Sequence, residues 1–262
     1  MINGKNIYKR YGNLEVLKGV NININKGEVV SIVGPSGSGK STLLHILGTL
    51  DKADTGEVMM HQTDVGKLSG KKLAGFRNKH IGFVFQFHHL LPEFSAIENV
   101  SIPGWLAGRK KATVKEEAIR LLQMLGLAER MDNKPNQLSG GEQQRVAVAR
   151  ALINQPDIVF ADEPSGNLDT ANARELHQLF FNLRDQFQQT FLIVTHNEEL
   201  PVARPPALVA QPMARQLEAL VTDREMAAGR NMLFVMRLRE GLLGIDDERR
   251  TIRIDGLATK HR

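Results

Sequence analysis

The chain has no cysteine among its 262 residues. That excludes disulfides and thiolate metal centres, and removes any need for an oxidising compartment. The N-terminal stretch MINGKNIYKRYGNLEV lacks the apolar core of a signal peptide. No apolar run approaches the ~18–20 residues needed to span a bilayer. Internal repeats and sustained heptads are also missing. These absences predict a soluble intracellular protein, and 262 residues suffice for one large domain or two small ones. The net charge of +5 slightly favours anionic partners. Its dispersal among charges of both signs reads as an ordinary solvated surface, and no nucleic-acid partner is expected.

What is present is an alternation of strands and helices. GVNININKGE places Val20, Ile22 and Ile24 between polar residues, the period of a half-buried strand. GEVVSIVG is a short apolar run, read as a fully buried strand, and a helix is expected from Lys40 onward. TGEVMMHQTDV reads as one more strand. VKEEAIRLLQMLGLAERM sets Ile119, Leu122 and Leu125 at helical spacing. PDIVFADEP and TFLIVTHNE are apolar strands ending in polar clusters. The pattern predicts an α/β domain with a largely parallel sheet, and a helical lobe between about 88 and 150.

GPSGSGKS at 34–41 fits G-x-x-x-x-G-K-[ST] between a strand and a helix. Its glycines, Gly34, Gly37 and Gly39, with Pro35, Ser36 and Ser38 between them, let backbone N–H groups face phosphate oxygens at a helix N-terminus. Lys40 is expected at the β- and γ-phosphates, Ser41 at Mg²⁺, and Thr42 at a phosphate. This predicts binding of a nucleoside triphosphate. In IVFADEP, Asp162 is placed to hold Mg²⁺ and Glu163 to polarise an attacking water. A solvated acidic pair is the plainer reading of that dipeptide, and the upstream loop weighs against it. His196, ending FLIVTH, is equally compatible with orienting the water and with capping a strand. The adjacent His88 and His89 carry no metal reading, since neighbouring side chains diverge and no other ligand has suitable spacing.

A second glycine loop, LSGGEQQR at 138–145, raises a separate question. Ser139 and Glu142 have capping-box spacing before a helix with Val146, Ala149 and Ile153 on one face. The same geometry presents N–H groups to an anion at the helix N-terminus. One loop already surrounds the phosphates, so a second is useful if it covers the γ-phosphate held by another subunit. That predicts a head-to-tail pair with ATP between the subunits.

These motifs, with SGNLD at 165–169 and His196, follow the order found in the nucleotide-binding subunits of ABC transporters, and residues 1–200 resemble that family. The resemblance implies a P-loop NTPase fold with a parallel-sheet core, an antiparallel β subdomain and a helical subdomain. It implies that Tyr11 stacks on adenine and that Gln86 links Mg²⁺ to a transmembrane partner. It also implies that Ser139, Gly140, Gly141 and Glu142 close the opposite site, with Asp169 across the dimer interface. GFVFQFHHLLPEFSAIENVSIP, LGTLDKADTGEV and SGNLD are most similar to the ATPases of lipoprotein-releasing (Lol) systems, with macrolide-efflux and cell-division ATPases close behind. The groove near Gln86–Phe94 is then expected to receive the transmembrane subunit, at the cytoplasmic face of the inner membrane. Aromatic and apolar residues exposed there need such a partner. A soluble ABC protein acting on ribosomes or DNA typically carries two cassettes or a long coiled coil, neither of which is present. A small-molecule kinase would leave LSGGEQQR unexplained.

Composition changes near Leu200. Residues 1–200 hold fourteen lysines and nine arginines, whereas 201–262 hold one lysine and ten arginines. The stretch from 201 to 212 is proline-rich and reads as linker. MLFVMRLREG (232–241) and TIRIDGLATK (251–260) both resemble the family's terminal hairpin, at unusual distances. One of them is expected to dock as the final strand, leaving 201–230 as an exposed linker.

Overall fold

The computed structural model describes residues 1–196 and the backbone of three later strands. The first sheet is antiparallel. It contains β1 (Ile2–Tyr11), β2 (Leu14–Ile24), β4 (Thr55–Met60) and β5 (Thr63–Asp64), in the order β2-β1-β4-β5. The second sheet is built on β3 (Val29–Val33), β6 (Ile81–Phe85), β7 (Ile158–Asp162) and β8 (Thr190–Thr195), paired in parallel as β3-β8-β7-β6. Tail strands β9 (Leu233–Arg239), β10 (Leu242–Ile245) and β11 (Arg250–Ile254) extend it beyond β3, giving β10-β9-β11-β3-β8-β7-β6.

Both faces of the parallel sheet are covered, which explains the unbroken apolar runs in its strands. Along β7, Ile158 and Phe160 join one core, and Val159 and Ala161 join the other. In β8, Leu192 and Val194 alternate in the same way with Phe191 and Ile193. The first core lies between this sheet, the antiparallel sheet and α1 (Lys40–Leu47), whose Leu43, Leu44 and Leu47 are fully buried. The second lies under α3 (Ala96–Leu106), α4 (Lys111–Met124), α5 (Gly140–Leu152) and α6 (Thr170–Phe187). α2 (Gly70–His80) leads directly into β6.

Several expectations change in detail. TGEVMMHQTDV is two strands, β4 and β5, separated by a turn in which His61 takes a left-handed conformation (φ 55). The helical lobe starts at Ala96 rather than near 88, because Ser95 and Glu98 form a capping box there. Val114, Ala118, Leu121 and Leu122 make the buried face of α4, with Ile119 only partly buried. In the tail, β9 and β11 both run parallel to β3, Leu233 opposite Val29 and Thr251 opposite Ser31, while β10 pairs antiparallel with β9. The proline-rich segment 201–212 and the expected linker 201–230 lie outside the described residues. Among the described residues no helix is long and apolar enough to cross a membrane.

Candidate nucleotide site

The C-terminal ends of β3, β7 and β8 converge, and each delivers one part of the site. After β3 the chain turns through Gly37 (φ 78) and Gly39 (φ 92), conformations that side chains with a Cβ rarely adopt. A Cβ on Gly39 would stand 3.0–3.2 Å from atoms of Val16 and Leu17, so glycine also sets how tightly the loop rests on β2. No side chain caps α1. Its first N–H groups lack intrahelical acceptors and open onto the loop. Lys40 is buried, with Nζ donating to the carbonyls of Gly34 (2.8 Å) and Pro35 (2.9 Å). Burial pushes its pKa down, partly offset by Glu163 and Asp162.

β7 ends at Asp162, whose Oδ1 accepts from the Ser41 hydroxyl at 3.0 Å. Burial raises the Asp162 pKa, against the opposing pull of the Ser41 hydrogen bond and of His45. His45 Nε2 is 3.6 Å from Asp162 Oδ2. A carboxylate short of compensating charge beside a hydroxyl is a donor set that suits a hard divalent cation. Glu163 follows with a left-handed backbone (φ 47), its N–H donating to the Val194 carbonyl on β8. His196, just past β8, lies with Nδ1 3.0 Å from Glu163 Oε2. Three motifs far apart in sequence thus meet at one sheet edge.

Other expected residues have different surroundings. Tyr11 is half exposed at the end of β1, with its hydroxyl donating to Asp51 Oδ2 at 2.6 Å and the Lys9 ammonium 5.1 Å from its ring centroid. Thr42 also interacts with the Tyr11 phenol, which brings the tyrosine to the start of α1. Gln86 Nε2 donates to Asn167 Oδ1 at 2.9 Å, and Asn167 Nδ2 donates to the Gln86 carbonyl at 3.1 Å. A Cβ on Gly166 would stand 2.8 Å from Gln86 Nε2, so these two loops are in close contact. Asp169 caps α6, accepting from Ala171 and Asn172 N–H.

Around the second glycine loop, Ser139 Oγ accepts from Glu142 N–H at 3.3 Å and Glu142 Oε2 accepts from Ser139 N–H at 2.8 Å. Glu142 Oε1 accepts from Arg130 as well. A Cβ on Gly141 would stand 2.6 Å from Asn172 Oδ1, which fixes the loop against the start of α6. Ser165, two residues after Glu163, makes a 3.2 Å contact with His177, a histidine that burial holds at a pKa of about 4.

Between Gln86 and Ala96 three large apolar side chains reach the surface. Phe87, Leu91 and Phe94 are 68%, 44% and 37% exposed, whereas Leu90 turns inward against the helical core. Two residues hold this loop, and sequence reasoning missed both. Asn99, fully buried on α3, donates to the carbonyls of Leu91, Phe94 and Ser95 and accepts the Leu91 N–H. Arg150, on α5, donates to the carbonyls of His88 and His89, each at 2.6 Å. Asn99 sits in an apolar helix pattern, the one sequence signal that marks it as a scaffold.

Residues 17–166 match the family model described as ABC transporter. The chain belongs to the ABC transporter family. Among its relatives, the lipoprotein-releasing system ATP-binding protein LolD of Bacteroides fragilis (strain YCH46) is 60% identical over 200 residues, spanning 76% of this chain and 93% of that protein. The protein of the same name from Cytophaga hutchinsonii is 61% identical over 194 residues, covering 74% and 89%. Among solved structures, the dimeric post-hydrolysis ATP-binding cassette MJ0796 bound to ADP and Pi has a TM-score of 0.70 at 43% identity, covering 77% of this chain and 90% of that one. The two-sheet fold with its helical layer is that of this family's ATP-binding cassette.

Proposed function

We propose that the chain is the ATP-hydrolysing subunit of a transporter that releases lipoproteins from the inner membrane. Convergence of Lys40, Ser41, Asp162, Glu163 and His196 at one sheet edge carries the enzymatic part. The name and high identity of the relatives support the cargo. In this reading the loop N–H groups and Lys40 hold the phosphates, and Tyr11 lies under the base. Lys40 exchanges its two carbonyl partners for phosphate oxygens. Ser41 and Asp162, with Gln86 nearby, would hold Mg²⁺, which supplies charge neutralisation of the phosphates. Glu163 accepts a proton from water as the water oxygen bonds to the γ-phosphorus and the bond to the ADP oxygen breaks. His196 holds the Glu163 carboxylate in position.

A second copy of the chain completes each site by placing Ser139, Gly140 and Gly141 over the γ-phosphate. Glu142, an acceptor-only carboxylate, contributes by shaping that helix start rather than by touching phosphate. Asp169 acts from the adjoining segment at the same interface. The exposed Phe87, Leu91 and Phe94 face a transmembrane subunit, so the chain works as a peripheral protein at the cytoplasmic face.

Tagged chain recovered from membranes should bring down a transmembrane subunit, and the complex in proteoliposomes should discharge lipoprotein when ATP is added. Leu91→Asp should bind ATP normally but lose most of the co-purifying subunit, because it buries a charge against an apolar partner. Recovery of an efflux permease that discharges no lipoprotein would overturn the cargo. Undiminished recovery with Leu91→Asp would remove the apolar surface from docking.

A further inference from the structure

At the opposite edge of the parallel sheet lies a cluster that the ATP chemistry does not use. Asp157 immediately precedes β7, and His80 ends α2 just before β6. Their backbones are joined by Asp157 N–H donating to the His80 carbonyl at 2.9 Å. His61 enters from the turn between β4 and β5, where its N–H donates to the Met1 carbonyl. Asp157 Oδ2 lies 2.5 Å from His80 Nδ1 and 3.1 Å from His61 Nε2. One oxygen and two imidazole nitrogens, all within 4.8 Å of one another, therefore converge from three separate segments.

We propose that His61, His80 and Asp157 form a binding site for a divalent transition-metal ion of the zinc class, one that fastens the antiparallel sheet to the parallel sheet.

Two imidazoles and one carboxylate suit zinc and its neighbours far better than Mg²⁺ or Ca²⁺, which prefer oxygen ligands. Bond lengths of about 2.0–2.2 Å to each donor put tetrahedral donors roughly 3.4 Å apart, so the carboxylate must ease away from both rings by under about 1 Å. His61 is 48% exposed and swings easily; the same exposure leaves room for water as the fourth ligand. His80 is held more firmly, its ring 4.6 Å from that of Phe76. The C-terminus of α2, with its partial negative charge, adds to the attraction for a cation. Neutral imidazoles need release no proton on binding. Each needs only to present to the ion the ring nitrogen that carries no proton.

Asp157, just before β7, and Asp162, at its end, are about 16 Å apart at 3.3 Å per residue, so this ion is not the one expected at the phosphates. It would join a turn, a helix end and a strand start, and its effect is on how firmly the two sheets hold together.

Full-length chain freed of metal with a chelator should bind one equivalent of Zn²⁺ in a calorimetric titration, without nucleotide, and its melting temperature should rise. Co²⁺ should give the visible absorption bands of a tetrahedral site. His61→Asn, chosen because asparagine tolerates φ 55, and His80→Gln should each weaken Zn²⁺ binding by at least about 10–100-fold, the loss that follows when even an outer partner of a metal ligand is removed. His89→Gln should bind as the parent does. Failure of the parent to bind an equivalent at micromolar Zn²⁺ would overturn the site. So would unchanged affinity in both His61→Asn and His80→Gln. A finding that Zn²⁺ binding survives there but falls in His89→Gln would move the ion elsewhere.

Discussion

The two glycine loops each start a helix, and they finish its N-terminus in opposite ways. At α1 the capping position is Gly39, left-handed and without a side chain, so the helix begins with unsatisfied donors and a buried lysine folded back on two carbonyls. At α5 the capping position is Ser139, and a reciprocal pair of hydrogen bonds with Glu142 satisfies two of the donors. The first loop leaves helix-start donors without a side-chain cap, free for an anion. The second is stable as it stands, and offers only what the box leaves over: the N–H groups of Gly140 and Gly141 and the Ser139 hydroxyl proton. A capped helix and a phosphate clamp are therefore compatible readings of LSGGE. As a clamp in the proposed function it has fewer donors to offer than the first loop, which suits closing over a phosphate that another loop already holds.

The sharpest test of this contrast stops the chemistry while leaving both loops intact. Glu163→Gln should retain ATP binding and lose hydrolysis by roughly 10²–10⁴-fold, the usual contribution of a general base. With ATP and Mg²⁺ it should then elute as a dimer in size-exclusion chromatography, the second loop being held on the first loop's ATP. Near-normal turnover would take Glu163 out of the mechanism.

Separating the loops is the next largest effect. On the proposed function, Lys40→Ala damages the loop that holds the phosphates, and Ser139→Arg blocks the loop that covers the partner's. In a mixed dimer both lesions fall in one composite site, and the other is intact. If symmetric dimers assort at random, an equimolar mixture should recover up to about a quarter of the parent's turnover. No recovery, with mixed dimers present, would mean that both sites must be sound for either to work.

How much of this was legible in the sequence differs from one element to the next. β3, β7 and β8 are buried on both faces, and their apolar runs are visible without any partner. The loops at their ends carry glycine, lysine and acidic residues at fixed spacings. β1 is different. Its ladder with β2 shifts register three times, so Ile2 and Ile7 do not keep the period of two that marks a strand. The five residues of β6 follow α2 without a break, which hides the change of element. Asn99 and Arg150 bond to carbonyls rather than to side chains, and carbonyls leave no trace in composition. The cluster of His61, His80 and Asp157 is scattered over almost a hundred residues. The adjacent His88 and His89 draw attention first, yet both have left-handed backbone angles in a loop whose carbonyls Arg150 holds.

The smallest effect separates the cap from the clamp at a single atom. Ser139→Ala removes an N-cap acceptor and should lower stability by about 1 kcal/mol in urea denaturation. Ser139→Asp replaces it with an equally good cap, so stability should stay within about 0.5 kcal/mol of the parent. Aspartate, however, has no hydroxyl proton to give and sets a negative charge where a γ-phosphate would arrive. Placed in the Glu163→Gln background, Ser139→Asp should therefore fold normally, bind ATP normally and fail to dimerise on it. A stable Ser139→Asp chain that still forms the ATP-dependent dimer would leave Ser139 as a helix cap alone, and the contrast between the two loops would reduce to a difference in how two helices begin.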